Sequence, residues 1–82
     1  MPRRTHPERP FVTALGRAIR ELRVERKLSQ DALGQRAGIH PTWISQIETG
    51  RVNPTFANLA LISKGLEMRL SEVILLAEEL KR

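Results

Sequence analysis

Apolar side chains recur at three- and four-residue spacing near the start of the chain, which is the spacing of one face of an α-helix. Arg23 falls about 80° from Leu15 on a helical wheel, at the edge of this apolar stripe. A charged side chain at such an edge is expected to need a partner. The pattern predicts a helix over residues 11–27 with a stripe of Phe11, Leu15, Ala18, Ile19 and Leu22.

Two short helices follow, each marked by residues that start or stop a helix. Ser29 is a favoured N-cap and Gly38 a favoured C-cap, which predicts a helix over residues 29–37. Pro41 suits the first turn of a new helix because it lacks a backbone N–H, and Gly50 is expected to end that helix near residue 48. Only two residues separate Gly38 from Pro41, so a tight turn joins the two helices.

Two further helices complete the prediction. The segment from Asn53 to Thr55 is expected to form a turn and an N-cap, and Ser71 is expected to cap a fifth helix that runs through Leu80. No stretch alternates apolar and polar residues as a strand would, so we predict an all-α protein of five helices. The fourth predicted helix follows this turn and includes Leu59, Ala60, Ile62 and Leu66.

The fifth predicted helix has more apolar surface than one core-facing sector requires. Leu75 lies about 140° from Leu70, between two glutamates, and Leu76 widens the apolar surface further. A leucine in this setting is either a harmless exposed residue or the centre of a partner contact, and we favour the contact. A dimer interface is therefore predicted at Leu75, Leu76 and Glu79.

The helix predicted over residues 41–48 has one apolar and one polar face. The apolar face carries Trp43, Ile44 and Ile47, and the polar face carries Thr42, Ser45, Gln46 and Thr49. Short uncharged hydrogen-bonding groups can contact base edges without the desolvation of a charge, whereas a purely solvated face usually carries Lys and Glu. Together with the tight turn, this predicts a helix-turn-helix over residues 29–48 that presents its second helix to the DNA major groove.

The positive charge of the chain is concentrated in its first part. The chain has 82 residues and a net charge of +5, and residues 1–51 hold all of this excess, with ten basic and five acidic side chains. Residues 1–10 contain three prolines and three arginines, which predicts a flexible basic arm before one domain over residues 11–82. This charge favours a polyanionic partner such as DNA, the alternative being charge that serves solubility.

The sequence lacks the residue sets of most catalytic and metal sites. It contains no cysteine, and its only histidines, His6 and His40, lie in different contexts. We therefore predict no enzyme activity, no metal and no cofactor. No signal peptide and no apolar run of about 20 residues occurs, so we expect a cytoplasmic protein associated with the bacterial nucleoid.

Several short stretches together resemble the Cro/lambda-repressor-like (XRE) helix-turn-helix family. The resemblance covers about residues 13–76 and rests on L28-S29-Q30-D31-A32-L33, A37-G38, W43-I44-S45-Q46-I47-E48-T49-G50-R51 and N53-P54. It implies a compact five-helix lambda-repressor-like DNA-binding domain. The stretch ISKGLEM followed by LSEVI is similar to the controller proteins of restriction–modification systems within that family.

The resemblance also implies a set of DNA contacts by position. Gln30 would bind a phosphate and brace the recognition helix. Arg51 and Asn53 would contact the DNA backbone. Pro41 replaces the usual polar residue, so its contact can only be apolar, for instance with a thymine methyl group. The residues implied to face base edges or nearby phosphates are Pro41, Thr42, Ser45 and Gln46.

Four further positions carry implications of the same resemblance. His40 stands where Ser, Thr or Asp usually caps a helix, so it is expected to cap weakly or to approach a phosphate. Trp43 is expected either in the core or with its indole N–H on a phosphate. Arg23 and Glu48 are implied to form an ion pair. A glycine at the usual alanine position, Gly34, is expected to cost about 1 kcal/mol unless close packing requires it.

These observations predict a sequence-specific double-stranded DNA-binding regulator that binds a palindromic operator as a homodimer. The alternative is an antitoxin-type interaction module that neutralises a toxin and regulates its own operon. RNA polymerase and a toxin are therefore both open as further partners. The operator sequence, the regulated genes, the subfamily and the choice between activator and repressor are open as well.

Overall fold

Five α-helices joined by short turns make up the protein in a computed structural model, which describes residues 9–81 and the side chains of residues 10–81. No strand occurs within these residues. The prediction of a five-helix, all-α fold is confirmed. The helices are α1 (Arg9–Glu25), α2 (Gln30–Ala37), α3 (Pro41–Glu48), α4 (Phe56–Gly65) and α5 (Leu70–Lys81).

The first helix begins and ends two residues earlier than predicted. Pro10 is compatible with the first turn because the N–H that it lacks would have no partner there. The helix stops before Lys27, which has a left-handed backbone with φ 58°, and the Leu28 N–H donates back to the Arg23 carbonyl at 3.1 Å. Arg9 and Pro10 thus belong to α1, and residues 1–8 of the predicted arm lie outside the described residues.

Helix α1 packs against both α5 and α3, and its buried surface is wider than the predicted stripe. Val12 and Ala14 are buried in addition to the predicted residues, whereas Phe11 is only half-buried. Each fully buried large aliphatic side chain contributes roughly 1.5–3 kcal/mol through removal from water. The largest fully buried side chains come from all five helices and are Ile19, Leu33, Ile44, Ile47, Ile62, Leu66 and Val73.

Local capping sets the ends of the middle helices as predicted. The Ser29 hydroxyl accepts a hydrogen bond from the Ala32 N–H at 2.9 Å, and Gly38 ends α2 with φ 74°. The Thr55 hydroxyl accepts from the Asn58 N–H at 3.0 Å at the start of α4. The predicted bounds of α3, residues 41–48, are also confirmed.

The predicted cap of the fifth helix is wrong. Helix α5 begins at Leu70, so Ser71 lies inside its first turn. Glu72, the third residue of the helix, replaces the expected cap. Its carboxylate accepts a hydrogen bond from the Arg69 N–H at 2.9 Å. This is the glutamate half of a capping box, which uses a side chain inside the helix to satisfy the N–H before it.

Candidate nucleic-acid interface

Helix α3 separates its buried side from a polar outer side. Ile44 and Ile47 are buried in the core, whereas Thr42 is exposed and Ser45 and Gln46 are half-exposed. Among the residues that the structure describes, no hydrogen bond occupies the side chains of these three polar residues. Their donors and acceptors are therefore available to an external ligand.

Two of the residues around this face differ from the sequence prediction. Trp43 is 50% exposed, so its interpretation as a core residue is wrong. It lies at the margin of the apolar sector, and the two isoleucines fill the contact with the core. Thr49 does not extend the free polar face, because its hydroxyl donates to the carbonyls of Ser45 and Gln46 at 3.0 and 3.2 Å.

The N-terminus of α3 is capped by an imidazole. Nδ1 of His40 accepts a hydrogen bond from the Thr42 N–H at 3.1 Å, and Pro41 occupies the first helical position. An imidazole that accepts at Nδ1 carries its proton on Nε2 in the neutral form. The exposed His40 side chain therefore caps the helix and still offers one N–H donor at the same end.

The turn between α2 and α3 requires a glycine before it. A Cβ atom added to Gly34 would lie 2.5 Å from the carbonyl oxygen of Ile39, a backbone atom that cannot move aside easily. The Ile39 N–H in turn donates to the Gly34 carbonyl at 2.9 Å. Close packing at this turn thus requires Gly34. This requirement outweighs the low helix propensity of glycine, which the sequence predicts as a cost.

The C-terminus of α3 is held by a buried hydrogen-bonded ion pair. Glu48 accepts two hydrogen bonds from the Arg23 guanidinium, at 2.6 Å from Nε and 3.1 Å from Nη2. The side chain of Arg23 is 12% exposed and that of Glu48 is 2% exposed. A third guanidinium donor reaches the Leu28 carbonyl at 2.8 Å, so the structure brings together the pair that the resemblance implied.

Gln30 joins this network from the start of α2. Its amide nitrogen donates to the Glu48 carboxylate at 3.0 Å, which connects the first residue of α2 with the last residue of α3. A primary amide has two N–H donors, so one remains for a phosphate. Gln30 therefore braces the C-terminal end of α3 and keeps one N–H donor available for an external ligand.

A close helix contact that the sequence did not predict also fixes α3. A Cβ atom on Gly16 of α1 would lie 2.3 Å from the Ile47 carbonyl and 2.8 Å from the Glu48 carbonyl. No side chain fits there, so the absence of one lets α1 touch the end of α3. The only sequence signal for this contact was a glycine inside a helical pattern, and such a glycine does not identify the helix that packs against it.

The loop after α3 carries the remaining predicted contacts. Gly50 has φ 75°, and the Arg51 N–H donates to the Gln46 carbonyl at 2.9 Å, which closes the helix end. The side chains of Arg51 and Asn53 are both exposed in this loop. They lie beside the C-terminus of α3 in the chain, whereas Leu75, Leu76 and Glu79 lie on α5 and do not belong to this face.

One further polar contact within the described residues is structural. Arg26, to which no sequence pattern pointed, donates from Nε to the Leu66 carbonyl at 2.6 Å and so ties α1 to the end of α4. Within residues 9–81 no group of three His, Cys, Asp or Glu side chains could hold a metal ion. None of the helices in this range combines the length and apolar character that a bilayer crossing requires.

Comparison with known proteins places this geometry among DNA-binding regulators. The family model described as "Helix-turn-helix domain" matches residues 14–73. The chain is 37% identical over 59 residues to the control protein C.MunI of Mycoplasma sp, which covers 71% of this chain and 80% of that protein. It is 30% identical over 60 residues to the immunity repressor protein of Bacillus phage phi105, which covers 73% of this chain but only 42% of the repressor.

A solved structure with a similar fold contains DNA. The restriction-modification controller protein C.Esp1396I, solved as a tetramer in complex with its natural 35-base-pair operator, superposes with a TM-score of 0.81 at 27% identity. The match covers 87% of this chain and 93% of that one.

Proposed function

Because the chain belongs to the XRE-like helix-turn-helix family of DNA-binding transcriptional regulators, we propose that it reads a palindromic operator as a homodimer, with α3 in the major groove. The observation that carries this proposal is the unoccupied polar face of Thr42, Ser45 and Gln46 on a helix held at both ends. A side chain that reads base edges must keep one geometry, and a face held by packing and hydrogen bonds loses little freedom on binding.

The proposed contacts divide into base readers and backbone anchors. Thr42, Ser45 and Gln46 hydrogen-bond to base edges, and Pro41 packs against a thymine methyl group. The anchors that position α3 on phosphates are Gln30, His40, Trp43, Arg51 and Asn53, each offering an N–H donor or a positive charge from the periphery of the reading face.

Replacing Gln46 by alanine is expected to weaken binding to the cognate operator by about 1–3 kcal/mol and to change binding to random duplex DNA little. Thr42→Ala is expected to behave in the same way. Fluorescence anisotropy with both duplexes measures the difference, and Gln35→Ala at an exposed position of α2 serves as the control. Equal losses on operator and random DNA would remove the replaced residue from base reading.

Replacing Arg51 by alanine is expected to weaken all duplexes to a similar extent, because a phosphate contact carries no sequence information. The slope of log K against log salt should become smaller by about 0.9, the value for one phosphate neutralised on B-DNA. A salt titration of Arg51→Ala beside Arg20→Ala, an exposed arginine of α1, measures this slope. An unchanged slope for Arg51→Ala would mean that the guanidinium meets no phosphate.

The homodimer is closed by α5 in this proposal. Leu75 is 55% exposed and borders a surface depression with Phe11, Glu78, Glu79 and Lys81. An isologous contact can seat the leucine of each copy in this depression and bring Lys81 of one copy near the glutamates of the other. Leu76 is half-buried, so only its outer part can contribute. Two reading helices about 34 Å apart would then meet successive major grooves.

Among regulators, the controller class is the one we favour, since the chain spans 80% of a control protein but 42% of the matched repressor. Such a regulator acts on nucleoid DNA in the bacterial cytoplasm, and an activator of this class would contact RNA polymerase.

The antitoxin alternative requires a toxin gene beside this gene, whereas a controller requires neighbouring methyltransferase and endonuclease genes. The identity of the neighbouring genes therefore separates the two.

A further inference from the structure

Two turns of the protein hold a left-handed backbone at a residue other than glycine. Lys27, which follows α1, has φ 58°, and Glu67, which follows α4, has φ 59°. The other two left-handed positions of the described residues are glycines, Gly38 and Gly50. A Cβ atom makes this backbone unfavourable, which is why glycine is the usual residue in such a turn. A lysine and a glutamate at these positions therefore require an explanation.

The hydrogen bonds of the two turns are the same. After α1, the Leu28 N–H donates to the Arg23 carbonyl at 3.1 Å and the Lys27 N–H donates to the Val24 carbonyl at 2.9 Å. The turn after α4 repeats both bonds, each at 2.9 Å. This is the Schellman motif, which needs a left-handed backbone and no particular side chain at that residue. The backbone by itself thus gives no reason for a lysine at one turn and a glutamate at the other.

The turn that contains Lys27 is connected to the recognition helix. The Arg23 guanidinium, which binds Glu48 at the end of α3, also donates to the Leu28 carbonyl at 2.8 Å. Leu28 directly follows Lys27 in the chain. Gln30, three residues after Lys27, donates to the same Glu48 carboxylate at 3.0 Å. The hydrogen-bond network that holds α3 therefore also fixes the backbone on the C-terminal side of Lys27.

We propose that Lys27 is a further phosphate anchor, which neutralises a DNA phosphate next to the one that Gln30 contacts. This proposal rests on the proposed DNA-binding function and adds a residue to it. Three residues span at most about 11 Å of chain, and the phosphates of one strand follow each other at about 3.4 Å along the helix axis. A second phosphate therefore lies within reach of the lysine. Its contact carries no sequence information.

The charges around Lys27 suit a phosphate. The lysine side chain is exposed, and within residues 10–81 no carboxylate forms an ion pair with it. The nearby Glu25 pairs with Arg26 at 3.4 Å. From residue 26 to residue 47 the chain has three basic side chains and one carboxylate, Asp31, so this part of the protein attracts anions. Glu67 has the same backbone as Lys27 but the opposite charge, and it would repel a phosphate.

Removing the positive charge while keeping the turn tests the proposal. Lys27→Gly and Lys27→Asn both lack the charge, and both residue types adopt a left-handed backbone. We expect each variant to bind operator and random duplexes about eightfold more weakly per bound subunit at about 0.1 M salt. The slope of log K against log salt should become smaller by about 0.9 per subunit, the value for one phosphate. Lys27→Arg should keep the affinity and the slope of the wild type.

Glu67→Gly is the matched control, because it introduces the same residue into the same motif without removing a positive charge. Lys27→Gly and Glu67→Gly should both unfold at a higher urea concentration than the wild type, since glycine adopts this backbone without a Cβ clash. Only Lys27→Gly should lose affinity for DNA and salt dependence. That variant is thus expected to be more stable and to bind less tightly, which separates a lost contact from a damaged fold.

An unchanged slope for Lys27→Asn, with normal binding by the wild type, would overturn the Lys27 contact and leave the proposed function intact. A loss for Lys27→Gly but not for Lys27→Asn would also overturn it, because the cause would then be the flexibility of a glycine turn. A loss confined to the cognate operator would contradict a phosphate contact. A wild type whose DNA binding does not depend on salt would overturn the proposed function and this contact together.

Uncharged phosphate analogues identify the partner of Lys27. An operator selected with the purified wild type is prepared as a series of duplexes, each with one phosphate replaced by a neutral methylphosphonate. We expect one position at which the replacement weakens the wild type but not Lys27→Asn. It should lie next to the position at which Gln30→Ala is insensitive in the same way. The absence of any such position from the operator and its flanks would overturn the proposal.

Discussion

Replacing Glu48 by alanine is expected to reduce the free energy of unfolding by about 3–5 kcal/mol, the range measured when one partner of a buried ion pair is removed. The Arg23 guanidinium, 12% exposed, would keep its charge in the core and lose two of its three hydrogen bonds. Gln30 would lose its partner as well. Small domains are stable by only about 5–15 kcal/mol, so this variant should be markedly easier to unfold. Urea unfolding followed by circular dichroism measures the change.

The matched control for this variant is Glu21→Ala. Glu21 pairs with Arg17 at 3.8 Å on the surface of α1, and both side chains are more than half exposed. An exposed pair of this kind contributes less than about 1 kcal/mol, because water and salt screen it. A loss from Glu48→Ala as small as that from Glu21→Ala would show that the buried network contributes little to stability. The Glu48→Ala variant, unlike Glu21→Ala, should also loosen the C-terminal end of α3 and weaken operator binding.

Replacing Leu75 by glutamate is expected to convert the proposed homodimer into monomers and to abolish tight operator binding while the helices remain folded. The new carboxylate would meet Glu78 and Glu79 of both copies across the two-fold axis. A monomer reads one half-site, so its affinity should fall toward that for random DNA, by about three orders of magnitude. Sedimentation equilibrium measures the mass, and anisotropy measures the operator affinity.

Val24→Glu provides a control of the same exposure and chemistry. Val24 is 55% exposed, as Leu75 is, but it lies on α1 beside Arg20, Glu21 and Glu25. This variant should keep the mass and the operator affinity of the wild type. A dimer that persists in Leu75→Glu, or a wild-type monomer at tens of micromolar, would contradict the α5 interface.

Much of the fold follows from local sequence signals. Ser29, Gly38, Pro41 and Thr55 mark helix ends because each acts within three residues of its own position, through a side-chain hydrogen bond, a left-handed backbone or a missing N–H. The apolar spacing of α3 likewise identified its buried side and left Thr42, Ser45 and Gln46 outside. Such interactions involve residues that are close together along the chain, so the sequence alone predicts them.

Tertiary packing determined what local signals could not. The close approach of Gly16 to the end of α3, the bond from Arg26 to the Leu66 carbonyl and the exposure of Trp43 depend on residues far away in the chain. A helical wheel orders side chains around one axis but does not say which neighbouring helix covers which sector. The same limit applies to α4, where Phe56 and Leu61 are apolar in the sequence but exposed, because the other four helices leave them uncovered.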